Sequence, residues 1–199
     1  MKNQINIRFI AILSTSMIIA IWRIYLSNEG GANWYNFTPV GALALFGGTY
    51  FSSRVKSYLF PLLLLFVSDL VLMSTAAFTE YKEGLLYAGW YWTYGSFIIM
   101  VLIAEVFKKK VTILSVIVGG VLAAVSHYLI SDFGVWLGGG IDFTTGQPYT
   151  KNWAGFISCY VAALPYLKNM ILGNLFYGAI LFGGFELAKS KISLLRVAS

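Results

Sequence analysis

The chain is poor in charge, in histidine and in cysteine. Only 11% of its 199 residues are Asp, Glu, Lys or Arg, against about 25% in an ordinary soluble domain. So few ionic groups cannot clothe a water-facing surface, and 58% apolar residues with a mean hydropathy of +0.74 point the same way. The single cysteine, Cys159, excludes an intrachain disulfide framework and any multi-cysteine metal site. The single histidine, His127, restricts metal chemistry to a mixed Asp/His/Asn set. No Walker lysine motif, GxSxG, HExxH or zinc-like spacing occurs, so neither an enzyme nor a cofactor is expected. The formal charge of +6 does not indicate nucleic acid, because the basic residues lie in short clusters between apolar runs.

What the chain does have is hydrophobic length. A spanning helix needs about 20 mostly apolar residues. Segments 8–26, 58–78, 90–107, 111–130 and 169–188 meet or approach that requirement. A sixth, 37–52, is shorter and contains Gly41, Gly47 and Gly48; it is either a short span or a re-entrant segment covered by its neighbours. Thr38 and Pro39 suit its first turn. The fold class expected is therefore an all-α membrane protein, a single domain over 1–199 with six transmembrane helices. Lys2 and Arg8 before an apolar run resemble a secretory signal, but the run ends in Trp22, Arg23, Ile24 and Tyr25 without a small-residue cleavage pattern. It is expected to remain as the first helix.

Charge placement sets the orientation. With six spans and both termini cytoplasmic, Arg23, Lys82, Lys151 and Lys168 fall outside and the other ten basic residues inside. That is the positive-inside pattern of a multi-pass protein of the inner (plasma) membrane. On the outer side, the WYW run at 90–92 suits an interfacial aromatic belt. Residues 131–152, with DFGVW, GGG and a Gly-Gln-Pro turn, read as an ordered loop or a lid. The apolar stretch 153–164 is too short to span, so a short interfacial helix ending at Pro165 is expected before the last span.

Several polar residues sit where a bilayer tolerates them badly. At about 1.5 Å per residue, Arg23, Asp69 and His127 lie roughly 22, 16 and 24 Å from the inner starts of their helices. All reach or pass the midplane of a core about 30 Å thick. Asn169 and Asn174 enter the last helix from the same side. Such groups normally face partners or a wet cavity. Asp69 either pairs with Arg23 or meets a ligand, Arg23 alternatively snorkels to headgroups, and His127 is either a hydrogen-bonded packing residue or a site residue. Asp132 lies beyond the helix end as a cap or turn residue. Asn33, Trp34, Asn36, Trp136, Tyr149, Trp153 and Tyr160 either roof an outer cavity or anchor in the interface. Cys159 is a packing residue, and the pairs Gly119/Ala123 and Gly120/Ala124 allow close helix approach.

The blocks NFTPVGALALFGGTYF at 36–51, SDFGVW at 131–136 and CYVAALPYLKNMILGNLFYG at 159–178 resemble an uncharacterised family of bacterial six-helix membrane proteins. More loosely, the size and arrangement resemble the substrate-binding S components of energy-coupling-factor transporters. That resemblance implies a solute site near the outer face and a membrane coupling subunit as partner. It also implies docking through small residues on the first helix, which here has Ala11, Ser14, Ser16 and Ala20 but no Ala-x-x-x-Ala. The expected function is a membrane-embedded binding and uptake subunit for a small organic solute. Its ligand-binding residues are Arg23, Asn36, Asp69, His127, Asp132, Trp136, Asn169 and Asn174. The alternatives are a structural or assembly protein of the cell envelope and, third, an intramembrane hydrolase using Asp69 and His127.

Overall fold

The computed structural model describes residues 7–29, 35–51, 53–76, 78–79, 82–108, 111–192 and 195. Lys2, Asn33, Trp34, Lys109, Lys110 and Arg196, used above, lie outside the described residues. Among the described residues six helices form: α1 (Ile7–Glu29), α2 (Val40–Tyr50), α3 (Arg54–Leu72), α4 (Trp90–Phe107), α5 (Ile113–Gly138) and α6 (Trp153–Lys191). Hairpin β1 (Lys82–Glu83) and β2 (Leu86–Tyr87) precedes α4, and hairpin β3 (Ile141–Asp142) and β4 (Gln147–Pro148) joins α5 to α6. Five helices are long and apolar enough to cross a membrane. Their outward faces carry residues such as Ile18, Val55 and Val106, 67–77% exposed within the protein, which hydrocarbon would cover.

The sixth, α2, is different. Its 11 residues span only about 16 Å, half the thickness of a bilayer core. Every one of them is buried, and α2 packs against all five other helices. Small residues permit this. A Cβ on Gly48 would stand 2.6 Å from the Ala104 Cβ of α4, and one on Gly47 would stand 2.6 Å from Pro61 Cγ of α3. Phe46, wholly buried, meets Phe182 and Phe185 of α6 edge-on at 5.5 Å between ring centroids. Turn and bend residues 35–39 precede α2, with Asn36 left-handed and Pro39 in the αR region, so the chain enters the short helix through a tight turn rather than an extended segment.

Three sequence-based boundaries change. Residues 131–138 continue α5 rather than opening a loop, so Asp132 lies inside the helix. The stop comes at Gly139, whose φ of 80° is left-handed, with Gly140 N–H donating to Val135 O at 2.8 Å. Lys151 completes the end by donating to the carbonyls of Trp136 and Leu137. The expected separate interfacial helix is part of one 39-residue α6 that runs through Pro165 and measures about 58 Å. The proline removes one backbone hydrogen bond without ending the helix, because the packed α5 supports that stretch: Tyr128 Oη donates to Tyr160 O at 2.7 Å and Tyr160 Oη to Leu129 O at 2.6 Å. Finally, α3 starts at Arg54 and ends at Leu72 instead of spanning 58–78.

The ends are held by local chemistry. Thr112 and Ser115 form a reciprocal capping box at the start of α5, and Asn152 Oδ1 accepts from Gly155 N–H to start α6. At one end of the bundle Tyr50 Oη donates to Glu186 Oε1 at 2.7 Å, and Lys108 Nζ donates to Phe51 O at 2.5 Å. These contacts gather Arg54, Lys56, Lys108, Lys189 and Lys191 at a common lysine-rich end. Both hairpins stand at the other.

Gly48→Leu is expected to lower stability by about 1–3 kcal/mol through overpacking against α4. Gly183→Ala, where nothing lies within 4 Å of the new Cβ, is expected to be neutral or to raise it by up to about 1 kcal/mol. Thermal unfolding of the purified variants in one detergent checks the difference.

Candidate functional site

The polar residues of the long helices sort into separate nodes. The first joins α1, α3 and α4. Arg23 Nη2 donates to Asp69 Oδ1 at 2.6 Å, its Nη1 donates to Ser68 Oγ, and Tyr94 Oη donates to Asp69 Oδ2 at 2.9 Å. The Asp69 side chain is 2% exposed and that of Arg23 14%. Both carboxylate oxygens are thus occupied, one by a cation and one by a phenol. Tyr87 of β2 closes the node from the hairpin side, and burial together with the Asp69 charge pushes its phenol up, so it remains a neutral hydroxyl. Of the alternatives open for Asp69 and Arg23, their mutual pairing is what the structure contains.

The second node lies between α4 and α5. His127, buried, has Nδ1 2.6 Å from Ser96 Oγ, and its ring meets Phe97 at 5.7 Å. Ser96 Oγ donates its one proton to Thr93 O at 2.6 Å, so the bond to the ring requires Nδ1 to carry hydrogen. Tyr94 and Ser96 are two residues apart on α4 and point about 200° apart around it. Asp69 and His127 are consequently held by different faces of the same helix.

Asn174 forms the third node, where α2, α5 and α6 cross. Its Nδ2 donates to Gly120 O at 2.9 Å, and it is 1% exposed. The Gly120/Ala124 stripe read as an approach surface is where this carbonyl becomes reachable. Near the hairpin end, Asp132 is half-buried on α5 with its carbonyl 3.5 Å from Cys159 Sγ. Its carboxylate has no hydrogen-bond donor among the described residues. Trp136 Nε1 donates to Thr150 O at 3.0 Å, and its ring meets Phe156 at 5.4 Å. Asn169 Nδ2 donates to Tyr35 O at 3.0 Å, while the neighbouring Asn36 takes a left-handed φ of 65° that turns the chain toward α2. Tyr149 is buried, whereas Trp153 is 73% exposed.

The eight candidate residues therefore do not line one common cavity. Arg23 and Asp69 touch, Asn36 and Asn169 share the α1–α2 connection with α6, Asp132 and Trp136 share Cys159 as a neighbour, and His127 and Asn174 each have their own neighbours. Clefts lie elsewhere. One of about 10 Å³ lies among Leu45, Thr49, Ser115 and Phe182, and a shallow one of about 330 Å³ follows Leu164, Leu167, Lys168 and Ile171 along α6. Among the described residues no three His, Cys, Asp or Glu side chains converge as a metal site would require. Tyr94, Ser68, Ser96 and Tyr87 were missed as site residues in the sequence. Tyr94 was legible only as part of an aromatic run, although it lies a full turn deeper than Trp90.

A family model described as a family of unknown function, DUF6580, matches residues 3–195. The chain belongs to that family, which agrees with the resemblance to an uncharacterised family. No curated protein and no solved structure matches it.

Two outcomes follow from the ionic groups. Asp69→Ala or Arg23→Ala alone is expected to destabilise the protein by about 3–5 kcal/mol, because each leaves a buried charge unpaired. The double variant Arg23→Met/Asp69→Leu is expected to recover most of that loss in thermal unfolding. In the β3–β4 hairpin, Asp142 accepts from Thr144 Oγ1 and N–H and from Ser158 Oγ, which holds its carboxyl below the usual range. The folded pKa is the lower one. The hairpin's stabilisation is therefore complete above the unfolded value of about 3.9 and is lost as pH falls through the folded value. Faster exchange of the Gly146 amide, which donates to Asp142 O, is expected at pH 3 after correction for intrinsic rates, and not in Asp142→Asn.

Proposed function

We propose that this member of the family is a membrane-embedded binding and uptake subunit for a small organic solute. The observation that carries the reading is the Arg23–Asp69–Tyr94 node. A charge within a spanning helix costs about 2.5–3.5 kcal/mol on insertion scales. Replacing a buried ion pair by apolar residues is often neutral or stabilising, so packing three helices does not by itself require one. Ionisable groups at that depth are functional-site candidates by default. Here they lie about 24, 22 and 20 Å from the lysine-rich ends of α1, α3 and α4, nearer the hairpin end. Arg23 uses two donors on Ser68 and Asp69 and has more to offer a polar solute.

The chain carries no Walker lysine motif, so active uptake needs separate energising subunits, and the likeness in size and helix number to energy-coupling-factor S components supports that arrangement. Docking would use the membrane-facing helices. On the charge pattern the lysine-rich end is cytoplasmic and the membrane is the plasma membrane. The second reading, a structural or assembly protein, is favoured by the pairing of the polar nodes within the bundle rather than around one cavity. A hydrolase using Asp69 and His127 is not favoured, because their partners face different sides of α4.

A thermal-shift screen of small solutes on purified protein, followed by tracer binding, tests the uptake reading. A solute is expected whose affinity falls at least about tenfold in Asp69→Asn, the change for one lost hydrogen bond to a charged group. His127→Ala is expected to weaken it less. Unchanged binding in both variants, or a stoichiometric membrane partner with no bound solute, would favour the assembly reading.

A further inference from the structure

The two ends of α2 are finished differently. Its C-terminal side is capped, with Phe51 O accepting from Lys108 Nζ at 2.5 Å. At its N-terminus Pro39 is the N-cap and no side chain accepts from the first turn. Leu43 N–H is the first to be paired, donating to Pro39 O at 2.8 Å. The N–H groups of Val40, Gly41 and Ala42 have no acceptor among the described residues. All three residues are buried, and buried helix ends are normally satisfied by side chains, water or a ligand.

A second orphan adjoins them. Asn174 Oδ1 is the one buried side-chain atom without a hydrogen-bond partner among the described residues. Its amide nitrogen is fixed on Gly120 O, so the oxygen is held against Gly41, where a Cβ would overlap it. Three donors and one acceptor thus remain unused at one crossing of α2, α5 and α6. The place is covered by Phe37 and Thr38: a Cβ on Gly173 would stand 3.1 Å from Thr38 O. The Phe37 ring lies 5.6 Å from that of Tyr177, whose hydroxyl accepts from Trp22 Nε1 at 3.1 Å, one residue from Arg23.

We propose that the N-terminus of α2 and Asn174 are the deep end of the solute site, and that they take a small carboxylate carrying a hydroxyl or amino donor on the adjacent carbon. This rests on the uptake reading. The carboxylate oxygens accept from the N–H groups of Val40, Gly41 and Ala42, where the helix dipole favours negative charge. The adjacent donor meets Asn174 Oδ1. The Arg23–Asp69 pair is already neutral and adds no competing charge. Glycines at 41, 120 and 173 bring backbones together and restrict the occupant to a few heavy atoms. Loading requires Phe37 and Thr38 to lift from Gly173.

Radiolabelled lactate, glycolate, alanine and serine are the probes, with propionate as the donor-free control, measured by scintillation proximity on the purified full chain in nanodiscs. At least one of the four is expected to bind. Propionate, and the same probe on Asn174→Ala, are each expected to bind about tenfold more weakly or worse, as for a lost buried hydrogen bond. Asn174→Ser replaces the alanine variant if that protein is not monodisperse. Equal binding of propionate, or unaltered affinity in the Asn174 variant, overturns the inference. So does the absence of binding by all four probes. If the broader screen then still returns a solute dependent on Asp69, only the site at α2 falls; if it returns none, the uptake reading falls as well.

Discussion

Backbone polar groups inside a membrane must be satisfied by the protein itself, and α2 is where this constraint shapes the whole bundle. A helix of 11 residues cannot carry both ends to water. It is tolerated because five other helices surround it and because Gly41, Gly47 and Gly48 let α6, α3 and α4 close on it. One end is completed by a lysine from the α4 terminus. The other is left with donors that no described residue accepts. The central element is thus both the best-packed part of the protein and the one with unmet hydrogen-bonding capacity.

The ionic and polar side chains follow the same logic from the outside of α2. α4 carries Tyr94 toward Asp69 and Ser96 toward His127, so a single helix supplies a hydroxyl to each of two otherwise unconnected nodes. Arg23 on α1 and Asp69 on α3 are 46 residues apart in sequence. Their pairing fixes the register of α1 on α3, and Trp22 ties the same turn of α1 to Tyr177 on α6. Tyr177 in turn packs against Phe37, next to the start of α2.

Much of the architecture was legible because hydropathy and length are local properties. Spans 8–26 and 90–107 fall on α1 and α4 within a few residues. The errors have different causes, one a neighbouring helix and one the position of a local stop. Pro165 does not end α6, and α5 lies alongside, with its Tyr128 bonded to Tyr160 O five residues before the proline. Asp132 stays helical because the left-handed stop comes at Gly139 rather than at the first polar residue. Segment 37–52 looked short in sequence, but only the packing of five partners shows why it can be so. Among the site residues, depth arithmetic put Arg23, Asp69 and His127 at roughly 22, 16 and 24 Å, in one half of the membrane, but it could not show that the first two pair while His127 meets another face of α4.

Composition and the spacing of apolar runs determined by themselves that this is a helical membrane protein with six apolar helical segments, since hydropathy and length are local, whereas the separate interfacial helix expected at 153–164 is the start of α6. The placement of charge determined which helix ends share a side. Which polar groups meet was decided only by tertiary structure. Rotation about each helix axis, about 100° per residue, sends residues of equal depth to different neighbours, and that angle is set by glycine contacts and aromatic packing from distant parts of the chain.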